Sequence, residues 1–127
     1  MAYIIACLMA SLSFLLNRVL LKYIGNLTII TASPVVEESA KTLLSFYLGA
    51  DIIATHAAFG VLEAIYDWRN AEFKSKAAAF SIIGHSLFGL LTVGILHLST
   101  SIWLGLAGGI VAHLMWNFTV IQASTRR

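Results

Sequence analysis

Between Lys76 and Arg126 the chain carries no lysine, arginine, aspartate or glutamate. So long a run without charge cannot form the surface of a water-soluble domain. It divides at His97-Leu-Ser-Thr-Ser101 into two stretches, about Ala77 to Leu96 and Ile102 to Ile121. Each is near the ~20 residues an α-helix needs to cross a bilayer. The composition agrees: 127 residues, 59% hydrophobic and 11% charged, with a mean hydropathy of +0.87, against roughly 45–50% apolar and 25% charged in soluble domains. The expected fold is all-α, a multi-pass transmembrane helical bundle of about five helices in contact with membrane lipid. Residues 1–127 are expected to form a single integral-membrane domain, because spans and short connections use nearly the whole length. A net charge of +2 is too small to indicate nucleic acid. Cys7 is the only cysteine, which leaves no internal disulfide and no thiolate metal cluster; it is expected to fill space in the first helix. Asn-x-Thr triplets at Asn26 and Asn117 match the glycosylation pattern, but the second lies inside an apolar run and neither is informative.

Ala2 to Asn17 is uncharged and closes with Arg18 and Lys22, as a first transmembrane helix with basic anchors would. A cleavable signal peptide would carry its positive charge before the apolar region. Thr42 to Leu62 reads either as one span with Asp51 near its centre or as two helices broken at Gly49-Ala50-Asp51, with glycine ending one and aspartate capping the next. With the break, all eight basic residues (18, 22, 41, 69, 74, 76, 126 and 127) fall on or near one side. Without it, Arg69, Lys74 and Lys76 face away from Arg18 and Lys22, against the positive-inside tendency. The break is therefore expected, with the N-terminus outside and the C-terminus cytoplasmic. Helices two and three, about Pro34 to Gly49 and Asp51 to Asp67, are then short, at about 24–26 Å each. Thinned bilayer or a re-entrant arrangement would accommodate them. The Gly105–Gly109 spacing, with Gly84, Gly89 and Gly94, supplies small residues for close helix contact.

Ionised groups at membrane depth are costly and need a reason. Glu37 and Glu38 open the second helix, followed by Lys41, and Glu63, His85, His113 and Asn117 each interrupt a later apolar run. Measured from the cytoplasmic ends at ~1.5 Å per residue, Glu63 lies about 9 Å inside Arg69 and His85 about 13 Å inside Lys76. His113 and Asn117 lie about 13 and 8 Å inside Gln122. These groups share the cytoplasmic half of the bilayer, whereas His56 and His97 fall toward the outer face. Residues four apart project together, which pairs His113 with Asn117, Phe59 with Glu63 and Glu37 with Lys41. Glu38 also reaches Lys41 at a spacing of three, so one glutamate is expected to pair with the lysine and leave the other free.

Each residue has a plainer reading. The glutamates suit a helix N-terminus with Lys41 as an ion-pair partner, a lone membrane histidine more often glues helices than ligates, and Phe59 and the tryptophans suit packing and the interface. Jointly these readings must place six polar residues from four helices at one depth by accident. Two carboxylates and two imidazoles can activate water in two ways. His85, His113 and a carboxylate such as Glu63 could ligate Zn or another divalent metal with an open fourth position. Alternatively Glu37 serves as general base, with His113 and Asn117 donating to an oxyanion.

Glu37-Glu38-Ser-Ala-Lys41 resembles the EExxK motif of PrsW-like membrane proteases, Phe59-Gly-Val-Leu-Glu63 their FxxxE motif, and His113-Leu-Met-Trp-Asn117 their terminal HxxxN/D-type motif. His85 occupies the intervening helix. These proteins belong to a wider superfamily with the CAAX prenyl endopeptidases and ABI proteins. The resemblance covers residues 34 to 120 in order. It implies intramembrane peptide-bond hydrolysis of a membrane-associated substrate at a site opening toward the cytoplasmic side. Glu37 would activate water with Glu38 and Lys41 in support, Glu63, His85 and His113 would complete the centre, and Asn117 would assist. The chain is short beside relatives with additional helices, which points to homo-oligomerisation or to loss of activity. A noncatalytic scaffold or assembly subunit of the same superfamily is the competing expectation. Proton or metal-ion transport is a third, and it requires polar residues continuing toward the outer face.

Overall fold

The computed structural model describes residues 1–24 and 31–125; Asn26 and the basic residues Arg126 and Arg127 lie outside the described residues. Five helices account for the fold, with no strand among the described residues. Helix α1 spans Ala2–Ile24. Helix α2 is composite: an α-helical stretch Ala32–Ser39 runs into a π-helical turn Ala40–Leu44 and a last α-helical turn Ser45–Leu48. Helices α3 (Ile52–Asn70), α4 (Lys74–Ser99) and α5 (Ile102–Thr125) complete the bundle. Helix α3 packs on α1 and α4, α4 also packs on α5, and α2 sits in the remaining gap against α1, α3 and α5.

The break between α2 and α3 is built as the sequence requires. Gly49 takes φ 69°, a left-handed conformation that glycine adopts without a Cβ penalty. Asp51 then caps α3, accepting from the Ala54 amide at 2.8 Å. At the α4–α5 corner, Thr100 adopts φ 55°, and Ser101 Oγ accepts from the Leu104 amide at 3.4 Å. The long apolar helices extend about one to two turns beyond their expected limits, because helical geometry continues into the flanking polar residues.

The π turn is the one local element that the sequence reading missed. Polar and buried positions on α2 recur every four residues: Ser33, Glu37, Lys41 and Ser45 form one row, and Pro34, Glu38 and Thr42 the next. In an ordinary α-helix a four-residue repeat drifts, so that Ser45 would stand about 120° from Ser33. The wider i→i+5 turn absorbs that drift and keeps the stripe against the bundle interior.

Among the described residues, three helices are long and apolar enough to cross a membrane, within Ala2–Leu20, Lys74–Ser99 and Ile102–Ala123. That is fewer than the five spans expected. Helix α2 is short and polar on its inner face, and α3 carries Glu63, Asp67 and Arg69. The distribution of side chains supports a lipid surround. Leu15, Ile83, Leu90, Val111 and Met115 are half or more exposed, while the fully buried side chains include Lys41, His56, Glu38, Thr42, Thr55 and Thr92. That apolar-outside, polar-inside arrangement is inverted relative to a water-soluble domain. Cys7 is exposed on the outer surface of α1, so it does not fill the interior as expected.

Small residues set the helix spacing, though not all those expected. An added Cβ at Gly89 would stand 2.8 Å from His56 Cβ, and one at Gly105 would stand 2.7 Å from the Thr92 carbonyl oxygen. A Cβ at Gly84 would touch the Trp116 ring at 3.1 Å. Gly94 meets nothing within 4 Å and takes no part in close packing. Gly89→Ala is therefore expected to destabilise the bundle by about 1–3 kcal/mol through forced separation of α3 and α4. Gly94→Ala is expected to be neutral or slightly stabilising, since it adds helix propensity without a clash. Thermal unfolding of the two variants in detergent, side by side, checks both.

Candidate active site

Four helices deliver polar groups to one buried centre. Lys41 Nζ lies 2.7 Å from Glu38 Oε1, 4.0 Å from Glu37 Oε2 and 3.0 Å from His85 Nδ1, over the Phe59 ring at 4.3 Å from its centroid. His113 Nδ1 is 2.9 Å from Glu38 Oε1. His113 Nε2 is 3.9 Å from Glu37 Oε2. His85 Nε2 is 2.6 Å from Glu63 Oε2, and Ser81 donates to Asp67 at 2.7 Å just beyond. Aromatic rings wall the imidazoles. Phe88 stacks on His113 with centroids 4.7 Å apart, and Phe59 meets His85 edge-on at 4.7 Å.

These contacts assign roles. Lysine only donates, so Lys41 donates to His85 Nδ1, and the remaining Nε2–H donates to the Glu63 carboxylate. A carboxylate only accepts, so His113 Nδ1–H donates to Glu38 and leaves an Nε2 lone pair pointing toward Glu37. Glu38 is thus held by Lys41 and His113 together. Glu37 is buried, and its Oε2 has no hydrogen-bond partner. Between the neighbours, Glu38 makes the closer pair with Lys41, and Glu37 stands 4.0 Å from the same ammonium. Ser13 fixes the α1 side by donating to the Glu37 carbonyl at 3.3 Å, and Ser33 donates to the Asn17 side chain.

Two cavities meet at this centre. One of about 810 Å³ opens between α1, α2 and α3, with Phe14 and Leu15 on its apolar wall and Arg18 and Lys22 among its basic residues. A smaller one of about 190 Å³ lies between α3, α4 and α5. Glu63, Asp67, His113 and Asn117 line both. The guanidinium of Arg18 sits 4.5 Å above the Tyr66 ring, which ties the basic end of α1 to the end of α3 that carries Arg69.

Ligand atoms of Glu37, His85 and His113 all lie within 4.8 Å of one another, so this trio could hold a metal ion. It differs from the expected trio by exchanging Glu63 for Glu37. Glu63 is instead turned onto His85 Nε2 and stands outside the cluster. A carboxylate and two imidazoles are a suitable donor set for a catalytic zinc. In this arrangement, however, Lys41 and Glu63 occupy both nitrogens of His85.

One residue expected to stand apart belongs to the centre. His56 was placed toward the outer face, yet it is completely buried, with Nδ1 3.6 Å from Glu38 Oε2 and Nε2 3.3 Å from Thr42 Oγ1. The depth argument treated the site as a thin layer, whereas the polar groups run along the bundle axis for about two helical turns. His56 lies seven residues before Glu63, and Thr92 seven after His85, so the same-face spacing was the available signal. His97 remains outside, exposed near the end of α4.

No family model, curated protein or solved structure matches this chain.

Proposed function

We propose that this chain is an intramembrane endopeptidase in which Glu37 activates water. The observation that carries the reading is the buried Glu37 Oε2, without a hydrogen-bond partner and 3.9 Å from His113 Nε2, on a residue that lines the larger cavity. The ordered motifs at Glu37–Lys41, Phe59–Glu63 and His113–Asn117, which resemble those of PrsW-like proteases, support it.

A water about 2.8 Å from each acceptor would direct one hydrogen at Glu37 and the other at His113. Its oxygen lone pair is then free to attack a carbonyl carbon in the larger cavity. Glu37 takes the proton as the C–O bond forms and returns it to the departing amide nitrogen as the C–N bond breaks. Asn117, four residues from His113 and lining both cavities, supplies the carboxamide donor for the oxyanion. Lys41 balances the paired carboxylates. If Glu37, His85 and His113 instead held a divalent metal, that ion would supply Lewis-acid polarisation and a more acidic water. His85 would first have to release Lys41 or Glu63.

The basic end of the bundle, with Arg18, Lys22, Arg69, Lys74 and Lys76, is assigned to the cytoplasmic side by the positive-inside tendency. The larger cavity then faces a peptide segment entering from that side. Purified protein in lipid should cleave membrane-peptide substrates, with His113→Ala abolishing turnover. Stable association with a membrane partner, without cleavage, would instead favour the scaffold reading. Prolonged treatment with a strong zinc chelator is expected to leave turnover unchanged. Loss of activity restored by added zinc would move the mechanism to the metal-bound form.

A further inference from the structure

The larger cavity carries charges of both signs that do not meet. Arg18 and Lys22 of α1 line it, and so do Glu63 and Asp67 of α3. Among the described residues, neither Arg18 nor Lys22 pairs with a carboxylate, and neither Glu63 nor Asp67 pairs with a lysine or an arginine. Arg18 is the clearest case. Its guanidinium lies over the Tyr66 ring, 4.5 Å from the centroid, while Asp67 on the next residue takes a hydrogen bond from Ser81 on one oxygen only. Opposite charges that share a cavity wall without pairing leave both signs available to a ligand that itself carries both.

The rest of the wall is apolar and continuous with the outside of the bundle. Phe14, Leu15 and Val19 line the cavity, and Leu15 and Val19 are also more than half exposed on the surface that faces lipid. Position along α1 orders the chemistry. At ~1.5 Å per residue, Phe14 lies about 6 Å deeper than Arg18 and about 12 Å deeper than Lys22. Phe14 also meets the Phe59 and Tyr66 rings, with centroids 6.0 and 6.2 Å apart, so the apolar wall stands beside the acidic face of α3. The charged end lies at headgroup level and the apolar end at acyl level, given the orientation that the basic residues favour. The volume of about 810 Å³ falls in the range of small-molecule sites, roughly 300–1,000 Å³.

We propose that this cavity binds one phospholipid with a primary-ammonium headgroup, of the phosphatidylethanolamine class. The phosphate sits between Arg18 and Lys22, and the ammonium donates to Asp67, both as charge-assisted hydrogen bonds. One acyl chain follows Phe14, Leu15 and Val19 out to the bilayer. Glu63 is already engaged by His85 on one oxygen, which makes Asp67 the principal ammonium partner. Charge and donor count together select the headgroup. An anionic head such as phosphatidylglycerol brings its negative charge uncompensated against Glu63 and Asp67. Choline supplies the positive charge but has no N–H to donate, whereas an ammonium has three. The site rests on the cavity walls and holds whether or not the chain is a peptidase. In a peptidase, the lipid occupies the cavity until a peptide displaces it.

Native mass spectrometry of the intact, delipidated protein in non-ionic detergent tests this. The protein is titrated separately with phosphatidylethanolamine, phosphatidylcholine and phosphatidylglycerol of identical acyl chains. Phosphatidylethanolamine is expected to bind one per chain, about tenfold more tightly than phosphatidylcholine, the difference that a hydrogen bond between charged groups makes. It should also outbind phosphatidylglycerol. Asp67→Asn should bring phosphatidylethanolamine down to the affinity of phosphatidylcholine, while Arg18→Gln combined with Lys22→Gln should weaken both lipids alike. The comparison of the three lipids uses the wild-type protein, so it does not depend on any variant folding. Absence of a one-to-one complex, equal binding of phosphatidylethanolamine and phosphatidylcholine, or tightest binding of phosphatidylglycerol overturns the proposal. So does an ethanolamine preference that survives Asp67→Asn.

Discussion

Glu37→Gln is expected to lower turnover of a membrane peptide by about 10²–10⁴-fold, the range that a positioned general base contributes. The substitution keeps the volume and planar shape of the side chain and removes the group that accepts the proton. Glu37 Oε2 has no hydrogen-bond partner and lies 4.0 Å from Lys41, so its loss breaks no close ion pair. The unfolding midpoint should therefore stay level or rise, since Lys41 keeps its closer pair with Glu38 and one of two neighbouring buried carboxylates is neutralised. Single-turnover cleavage and thermal unfolding on the same preparation separate chemistry from folding. Wild-type turnover in the variant would remove Glu37 from the mechanism.

Lys41→Met should have the largest effect on stability. Methionine approximates the length of the lysine stem, but it leaves Glu37 and Glu38 as neighbouring buried carboxylates without their ammonium. Removing one partner of a buried ion pair costs about 3–5 kcal/mol, and here one cation serves two acids and also holds His85. Equilibrium unfolding in detergent should show that loss. Adding Glu38→Gln to Lys41→Met should restore a substantial part of it, since the second change removes the charge the first left stranded. If the double variant were less stable than Lys41→Met alone, the ion pair would not be the source of the cost.

These two predictions rest on features of differing visibility in the sequence. The helical class followed from the charge-free run after Lys76, and the α2–α3 break followed from glycine and aspartate together with the placement of basic residues. Glu37, Glu38, Lys41, His85 and His113 were found because charge and imidazole are conspicuous in an apolar setting. His56 was visible by type and misplaced by depth, because longitudinal position was estimated helix by helix while long side chains reach across turns. The trio able to hold a metal was also beyond sequence, because Glu37 and Glu63 are equally plausible donors until His85 is seen to bond one of them.

The π turn in α2 amounts to one surplus residue wound into an otherwise ordinary helix. Removing Leu44 should leave a continuous α-helix in which Ser45 follows Ser33 by eleven residues, only about 20° off the shared face. Ser45 would then still face Thr55 while the carboxylates stayed in place. The surplus residue thus leaves the two halves of α2 in rotational phase, so this stretch should tolerate one deletion far better than one insertion, which would swing the later half by about 100°.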